Sequence, residues 1–243
     1  MTDIEKLKAA IEKAKKICVF TGAGISCPSG IPDFRSADGL YSGNGMLGYT
    51  PEQMISHSFF VSHTKEFYDF YRSKMLYPDA KPNSAHKYFA ELEKQGKDVS
   101  VVTQNIDGLH FDAGSSVVFE LHGSVRNNHC TKCGEFYSDL YIAQTDGVPL
   151  CEKCGGVVKP DVVLYEEELN RGTVLGALNA ISDADLLIVV GTSLTVYPAA
   201  SFVNYFNGET LAVINKGEFS VPEGVGIAIR GDITDVVAAL SEG

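Results

Sequence analysis

Tryptophan is absent from the 243 residues, methionine occurs only four times, and no apolar run approaches the ~20 residues that cross a bilayer. The longest such run centres on Leu186 to Val190, so no membrane association is expected. Basic residues are also scarce: 20 Lys+Arg stand against 31 Asp+Glu, a formal net charge of −11. General nucleic-acid binding depends on clustered Lys and Arg that displace counterions from phosphates, and this balance argues against it. A basic partner would be attracted, within the ~8 Å over which exposed charges act at physiological salt. The unbroken apolar core of a signal peptide is missing too. MTDIEKLKAAIEKAKKICVF interleaves charges with Ile4, Leu7, Ile11 and Ala14 at helical spacing, which points to a cytoplasmic protein. Internal repeats and low-complexity tracts are absent, and a 44% hydrophobic composition excludes intrinsic disorder. The length suits one large domain, or a large domain carrying a small one.

Short runs rich in Val and Ile alternate with helix-like segments: Ile17 to Thr21, Val99 to Gln104, Val117 to Leu121, Val162 to Tyr165, Leu186 to Val190, Leu211 to Asn215 and Val225 to Ile229. This alternation predicts an α/β fold with a mostly parallel sheet. PNSAHKYFAELEKQG predicts a helix that starts at Asn83 or Ser84 and stops at Gly96. Two stretches interrupt the rhythm: the aromatic-rich Gly39 to Tyr77, with helical spacing through Phe67, Phe70 and Tyr71, and the Cys-bearing Asn128 to Val158. The expected division is therefore a large domain of residues 1–38, 78–127 and 159–243, and a small one of 39–77 and 128–158.

Four of the six cysteines form Cys130-x2-Cys133 and Cys151-x2-Cys154, each pair followed directly by a glycine. Two such turns complete the tetrahedron that zinc accepts from four sulfurs, with no position left for substrate, so one structural zinc ion is expected. Disulfides or a redox pair are the alternatives. Cys18 and Cys27 read as buried small apolar residues.

The strand ICVFT runs into Gly22-Ala23-Gly24-Ile25-Ser26, the place where a dinucleotide pyrophosphate meets backbone N–H groups. Cys27 replaces the third glycine of the dinucleotide fingerprint, and a tight strand-to-helix turn is the alternative. Pro28, Gly30 and Pro32 interrupt any helix, which leaves a loop through Arg35. Further polar clusters follow the apolar runs: Gln104-Asn105-Ile106-Asp107, His122-Gly123, Gly191-Thr192-Ser193 and Asn215-Lys216. In a parallel sheet all of them fall at the ligand-binding edge, although Asn and Asp are also ordinary turn formers. His122 ends a strand before a glycine and titrates near neutrality, which makes it the general-base candidate; the other five histidines lack such a context.

The string GAGIS-x-x-SGIPDFR, followed in order by QNID, Leu121-His122-Gly123, the four cysteines and Gly191-Thr192-Ser193-Leu194, resembles the sirtuins over nearly the whole chain, in the form of a prokaryotic-type minimal catalytic core. Sirtuins are NAD-dependent protein-lysine deacylases. The resemblance implies a Rossmann-like domain and a zinc-ribbon plus helical-insert domain, with NAD and acyl-lysine meeting between them. It implies NAD contacts at Gly22, Ala23, Gly24, Ser26, Phe34, Arg35, Gln104, Ile106 and Asp107. The adenosine end would lie on Gly191, Thr192, Ser193, Asn215, Lys216, Asp232 and Ile233. Asn105 would organise the reaction and His122 act as base, on a ribose hydroxyl that attacks an imidate-type intermediate. The products would be nicotinamide, free lysine and O-acetyl-ADP-ribose.

The same resemblance places an acyl-lysine peptide, paired as an added strand, on Val163, Leu164, Tyr165, Val196 and Tyr197. Two positions depart from the family pattern. Lys159 stands where Arg is usual, and Glu166 where Gly is usual, which removes backbone freedom and adds a negative charge that would favour basic peptides. Tyr68 and Tyr71 match the family's acyl-reading positions, and the Arg that grips succinyl or malonyl groups is absent from Tyr68-Asp69-Phe70-Tyr71. Uncharged acyl groups, acetyl first, are the expected substrates of a monomeric enzyme. The alternatives are a protein mono-ADP-ribosyltransferase, a deacylase for longer uncharged acyl groups, a conventional dehydrogenase or a non-catalytic zinc-ribbon module.

Overall fold

The computed structural model describes residues 1–33, 48–217 and 225–242. In chain order the elements are α1 (Asp3–Lys13), β1 (Lys16–Thr21), α2 (Pro51–Met54), α3 (His57–Ser62), α4 (Thr64–Lys74), α5 (Ser84–Lys94), β2 (Asp98–Thr103), α6 (Leu109–Ala113), β3 (Val118–Glu120), β4 (Asn127–Cys130), β5 (Phe136–Ser138), α7 (Asp139–Gln144), β6 (Val158–Pro160), α8 (Arg171–Ser182), β7 (Leu186–Val190), β8 (Thr210–Asn215), β9 (Val225–Arg230) and α9 (Ile233–Ser241). Local chemistry sets the helix starts. Thr2 and Glu5 form a capping box on α1, and the Asn83 side chain accepts from the Ala85 N–H at the start of α5.

Six strands pair in parallel in the order β3-β2-β1-β7-β8-β9. The chain order reverses between β1 and β7, the position at which doubly wound sheets bind ligands. Alternation along the strands sends side chains to opposite faces. Ile17, Val19, Val99, Val101, Ile188 and Ile214 pack with α1, α5 and α9 residues such as Leu7, Phe89 and Val236. Cys18, Phe20, Val102, Leu187, Val189 and Val213 pack instead against Ala177, Ile181 and Phe202. Both faces are covered, as a parallel sheet requires.

A separate apolar cluster joins α2, α3 and α4 to the antiparallel sheet β5-β4-β6, through Met54, Phe60, Phe67, Tyr68, Tyr71, Tyr137, Ile142 and Val158. Val162 and Leu164 are buried in this cluster, while Val163 donates its N–H to the His122 carbonyl at 2.8 Å. Residues 162–165 are therefore not a strand of the main sheet, as their apolar run suggested. They form an extended bridge between the two cores, with a single parallel bridge from Tyr165 to Ser56. Val and Ile content marks extended backbone, but it does not specify a sheet partner.

Candidate active site

Beyond the carboxyl ends of β1, β2, β7 and β8 lies a cleft of about 1200 Å³, walled on its other side by Ile55, Lys74–Pro78, Asp139, Leu140 and residues 162–169. Its floor is a close approach of two loops. The Gly22 N–H donates to the Val190 carbonyl at 3.0 Å and the Gly24 N–H to the Gly191 carbonyl at 2.9 Å. A Cβ on Gly24 would lie 2.7 Å from Gly191 Cα, and one on Gly191, whose φ is +61°, would lie 2.5 Å from Ile25 N. Glycine is required at this crossing on both counts, since a left-handed φ disfavours side chains as well. After it the chain makes two short 3₁₀ turns, Ala23–Ile25 and Cys27–Ser29, rather than a long helix. Cys18 is buried as expected, but Cys27 is exposed and lines the cleft, because it lies past the strand end at the start of the second turn.

Polar side chains lock the loops together. Asn105 donates from Nδ2 to the Gly22 carbonyl at 3.2 Å and to Ser26 Oγ at 3.1 Å. Ser26 Oγ donates to Asp107 Oδ2 at 2.7 Å, and Asp107 Oδ1 caps the Leu109 N–H at 2.9 Å. Burial raises the Asp107 pKa, opposed by those two donors and by Arg126. Gln104 Nε2 donates to Thr192 Oγ1 at 3.2 Å, and Asn215 Nδ2 to the Thr192 carbonyl at 3.4 Å. Lys216 lies 3.8 Å from Asp232, whose side chain caps α9.

His122 follows β3 on the cleft wall. Its Nδ1 is 2.8 Å from the Gln104 carbonyl, which can only accept, so Nδ1 carries the proton and Nε2 is left as the acceptor. Burial lowers the His122 pKa below its ordinary value, partly offset by the Gln104 hydrogen bond. Gly123, at φ +73°, lets the chain pass against the Asp161 carbonyl and brings residues 161–163 beside the histidine. His86 and His110 are buried with their rings 4.8 Å apart, consistent with packing roles.

The cleft thus gathers Gly22, Ala23, Gly24, Ser26, Gln104, Asn105, Ile106, Asp107, His122, Val163, Leu164, Tyr165, Gly191, Thr192, Ser193, Val196, Tyr197, Asn215, Lys216, Asp232 and Ile233. Phe34 and Arg35 lie outside the described residues. Tyr68 and Tyr71 are not among the cleft residues. Both are 0% exposed in the aromatic core of the insert, where Tyr68 donates its hydroxyl to the Val158 carbonyl. A local match to a family motif singles these two residues out, and such a match does not tell a core from a pocket wall. Arg72 is also committed elsewhere: it donates to the Gly147 carbonyl at 2.7 Å and sits over the Tyr68 ring.

Sequence reasoning missed Arg126 and Asp112, which line the cleft as an ion pair from different elements. No local spacing links them. Glu166 adopts φ +76° despite its side chain, and its carboxylate accepts from Ser58 N at 2.8 Å and Ser58 Oγ at 2.9 Å. Lys159 ties the same segment together through the carbonyls of Pro160 and Val162 and the Glu167 carboxylate, which in turn meets His57 Nδ1 at 2.8 Å.

The sulfurs of Cys130, Cys133, Cys151 and Cys154 lie within 4.8 Å of one another, with neighbouring pairs at 3.4 and 3.5 Å. Zinc–sulfur bonds of about 2.3 Å in a tetrahedron require sulfurs roughly 3.8 Å apart, so the four residues fit the ion. Tyr137 donates its hydroxyl to Cys151 Sγ at 3.3 Å. The fit favours zinc over the disulfide and redox alternatives.

Residues 22–198 match the Sir2 family model. An NAD-dependent protein deacetylase of Clostridium perfringens is 52% identical over 96% of both chains, and one of Clostridium acetobutylicum is 48% identical over the same shares. Among solved structures, a Sir2 complex with a deacetylated p53 peptide and 3'-O-acetyl ADP ribose superposes with a TM-score of 0.89 at 34% identity, over 100% of this chain and 98% of that one. This agreement, of sequence and of fold across nearly the full length, establishes that the chain belongs to the Sir2 family.

Proposed function

We propose that this chain is an NAD-dependent protein-lysine deacetylase that consumes NAD and releases nicotinamide, free lysine and O-acetyl-ADP-ribose. The observation that carries the reading is His122, with Nδ1 held by the Gln104 carbonyl and Nε2 left to accept a proton, in the cleft shared by the glycine loop and residues 163–165. NAD supplies the electrophilic ribose carbon. The chain supplies alignment, a base and partial exclusion of water.

The backbone of Gly22, Ala23 and Gly24, with Ser26, holds the pyrophosphate. Gln104 reaches a ribose, and Ile106 with Asp107 holds the nicotinamide end. Gly191, Thr192, Ser193, Asn215, Lys216, Asp232 and Ile233 receive the adenosine end. Asn105 keeps the loop in register through Gly22 and Ser26. His122 Nε2 then takes a proton from a ribose hydroxyl. The peptide lies along Val163, Leu164 and Tyr165, opposite Val196 and Tyr197; Leu164 serves through its backbone, since its side chain is buried. An acylated peptide as substrate is supported by the Sir2 structures solved with acetylated and propionylated peptides. Residues 1–38, 78–127 and 159–243 make the NAD-binding domain, and 39–77 with 128–158 the small domain around one structural zinc.

No helix of the described residues is long and apolar enough to cross a membrane. The finer reading is a cytoplasmic monomer that does not bind nucleic acid. The engagement of Arg72 with Gly147 and Tyr68, and the pairing of the cleft residue Arg126 with Asp112, support uncharged acyl groups, acetyl first, since among the described residues these two arginines already hold partners that a carboxylate tail would have to displace. The test is a panel of acetyl-, propionyl- and succinyl-lysine peptides with NAD. Acetyl and propionyl peptides are expected to turn over and succinyl to lag by about 10²-fold or more, the scale of a missing charge-assisted contact. Equal desuccinylation would overturn the acyl assignment.

A further inference from the structure

A second cavity, of about 420 Å³, lies behind the substrate-bearing segment and shares Tyr165 and Glu166 with the main cleft. Its other walls come from α2, α3 and the residues flanking them. The Phe59 ring stacks on His63 at 4.8 Å, and Tyr49 meets Phe59 edge-on at 5.0 Å. Both nitrogens of His63 face partners, Ser62 Oγ at 2.8 Å and Tyr49 Oη at 3.5 Å. Two carboxylates complete the cavity, Glu52 and Glu166, and no lysine or arginine is among its described lining residues. The Glu166 carboxylate is fixed in place: Ser58 donates once to each of its oxygens, which leaves each oxygen a further lone pair.

We propose that this cavity is a subsite for a cationic side chain, lysine or arginine, at a position flanking the acyl-lysine of the substrate. The inference rests on the peptide lying along residues 163–165 as described above. Successive side chains of an extended peptide point to opposite faces of the paired strands, and pockets for alternate side chains confer sequence specificity. The Tyr49 and Tyr165 rings, neither of them buried, suit the methylene stem and the cationic head, and the two carboxylates suit the charge. A neutral or acidic side chain would leave these groups unmatched or opposed.

The test is steady-state deacetylation of a peptide series by the intact protein with NAD. The two positions on either side of the acetyl-lysine are replaced in turn by Lys, Arg, norleucine or Glu. At one position Lys or Arg should lower KM about three- to tenfold against norleucine with kcat unchanged, the scale of one partly solvated ion pair with a cation–π contact, and about 0.5 M salt should shrink the difference. Glu52→Gln should reduce that preference while leaving the KM of the norleucine peptide as it was. If the norleucine peptide turns over but Lys, Arg and Glu give equal KM at every position, the subsite is refuted and the deacetylase reading stands. A basic preference that persists undiminished in Glu52→Gln also refutes it. If no peptide of the series is deacetylated, the deacetylase reading fails and the subsite with it.

Discussion

The hydrogen bond from His122 Nδ1 to the Gln104 carbonyl decides which imidazole nitrogen is available for chemistry. Because a carbonyl cannot donate, the tautomer is set before any substrate arrives, and Nε2 is the basic site. In the proposed base role the neutral form is the active one, and burial lowers the pKa of His122 from its ordinary 6.5. The acid limb of activity should therefore be centred below 6.5, with activity lost as pH falls through the lowered pKa. The pH profile of kcat/KM checks this, and an acid limb centred above 6.5 would contradict it. His122→Ala should lose about 10²- to 10⁴-fold in kcat, the contribution of a general base. The place of His122 in the cleft was legible in the sequence because a strand end, a histidine and a glycine are adjacent there. The tautomer was not, since Gln104 lies on another strand end and only folding brings its carbonyl to the ring.

At the scale of elements, β1 and β7 enter the cleft side by side, and their loops cross with only glycine between them. Gly191→Ala would place a methyl group 2.5 Å from Ile25 N at a left-handed φ. A destabilisation of about 1 to 3 kcal/mol is expected, with weakened NAD binding. Thermal denaturation and NAD titration of the purified variant check this; an unchanged melting point and affinity would mean that the crossing tolerates a side chain. The glycines were visible in the sequence as a dinucleotide-type loop. Their mutual contact was not, because it joins positions far apart in the chain. The segment 162–165 shows the converse. Its composition marks extended backbone, and its partners, His122 on one side and Ile55 on the other, come from elements that no periodicity connects. Tyr68 and Tyr71 are a related case: α4 turns both into an aromatic core that only the fold defines.

Across the whole molecule, two cores cover the faces of the parallel sheet, and a third, built from the insert and the ribbon, carries the far wall of the cleft. The third core includes Cys130 and Cys151, so the metal site and the cleft wall share packing. Structural zinc supplies on the order of 10 kcal/mol toward folding such a module. Removing zinc with a chelator should therefore lower Tm and abolish peptide turnover together, and zinc should restore both. A metal-free protein with unchanged Tm would contradict a structural role. The four-cysteine spacing made this site legible without a structure, because ligand spacing within a turn is a local property. The pairing of the two turns across β4 and β6 is a tertiary one.

The deacetylase reaction leaves a defined set of products. The direct measurement is product stoichiometry by mass spectrometry after incubation with NAD and an acetyl-lysine peptide, with His122→Ala run in parallel. Equal amounts of nicotinamide, deacetylated peptide and O-acetyl-ADP-ribose, lost in the variant, are the expected result. NAD consumption with ADP-ribose retained on protein and no O-acetyl-ADP-ribose would contradict it and identify a mono-ADP-ribosyltransferase instead.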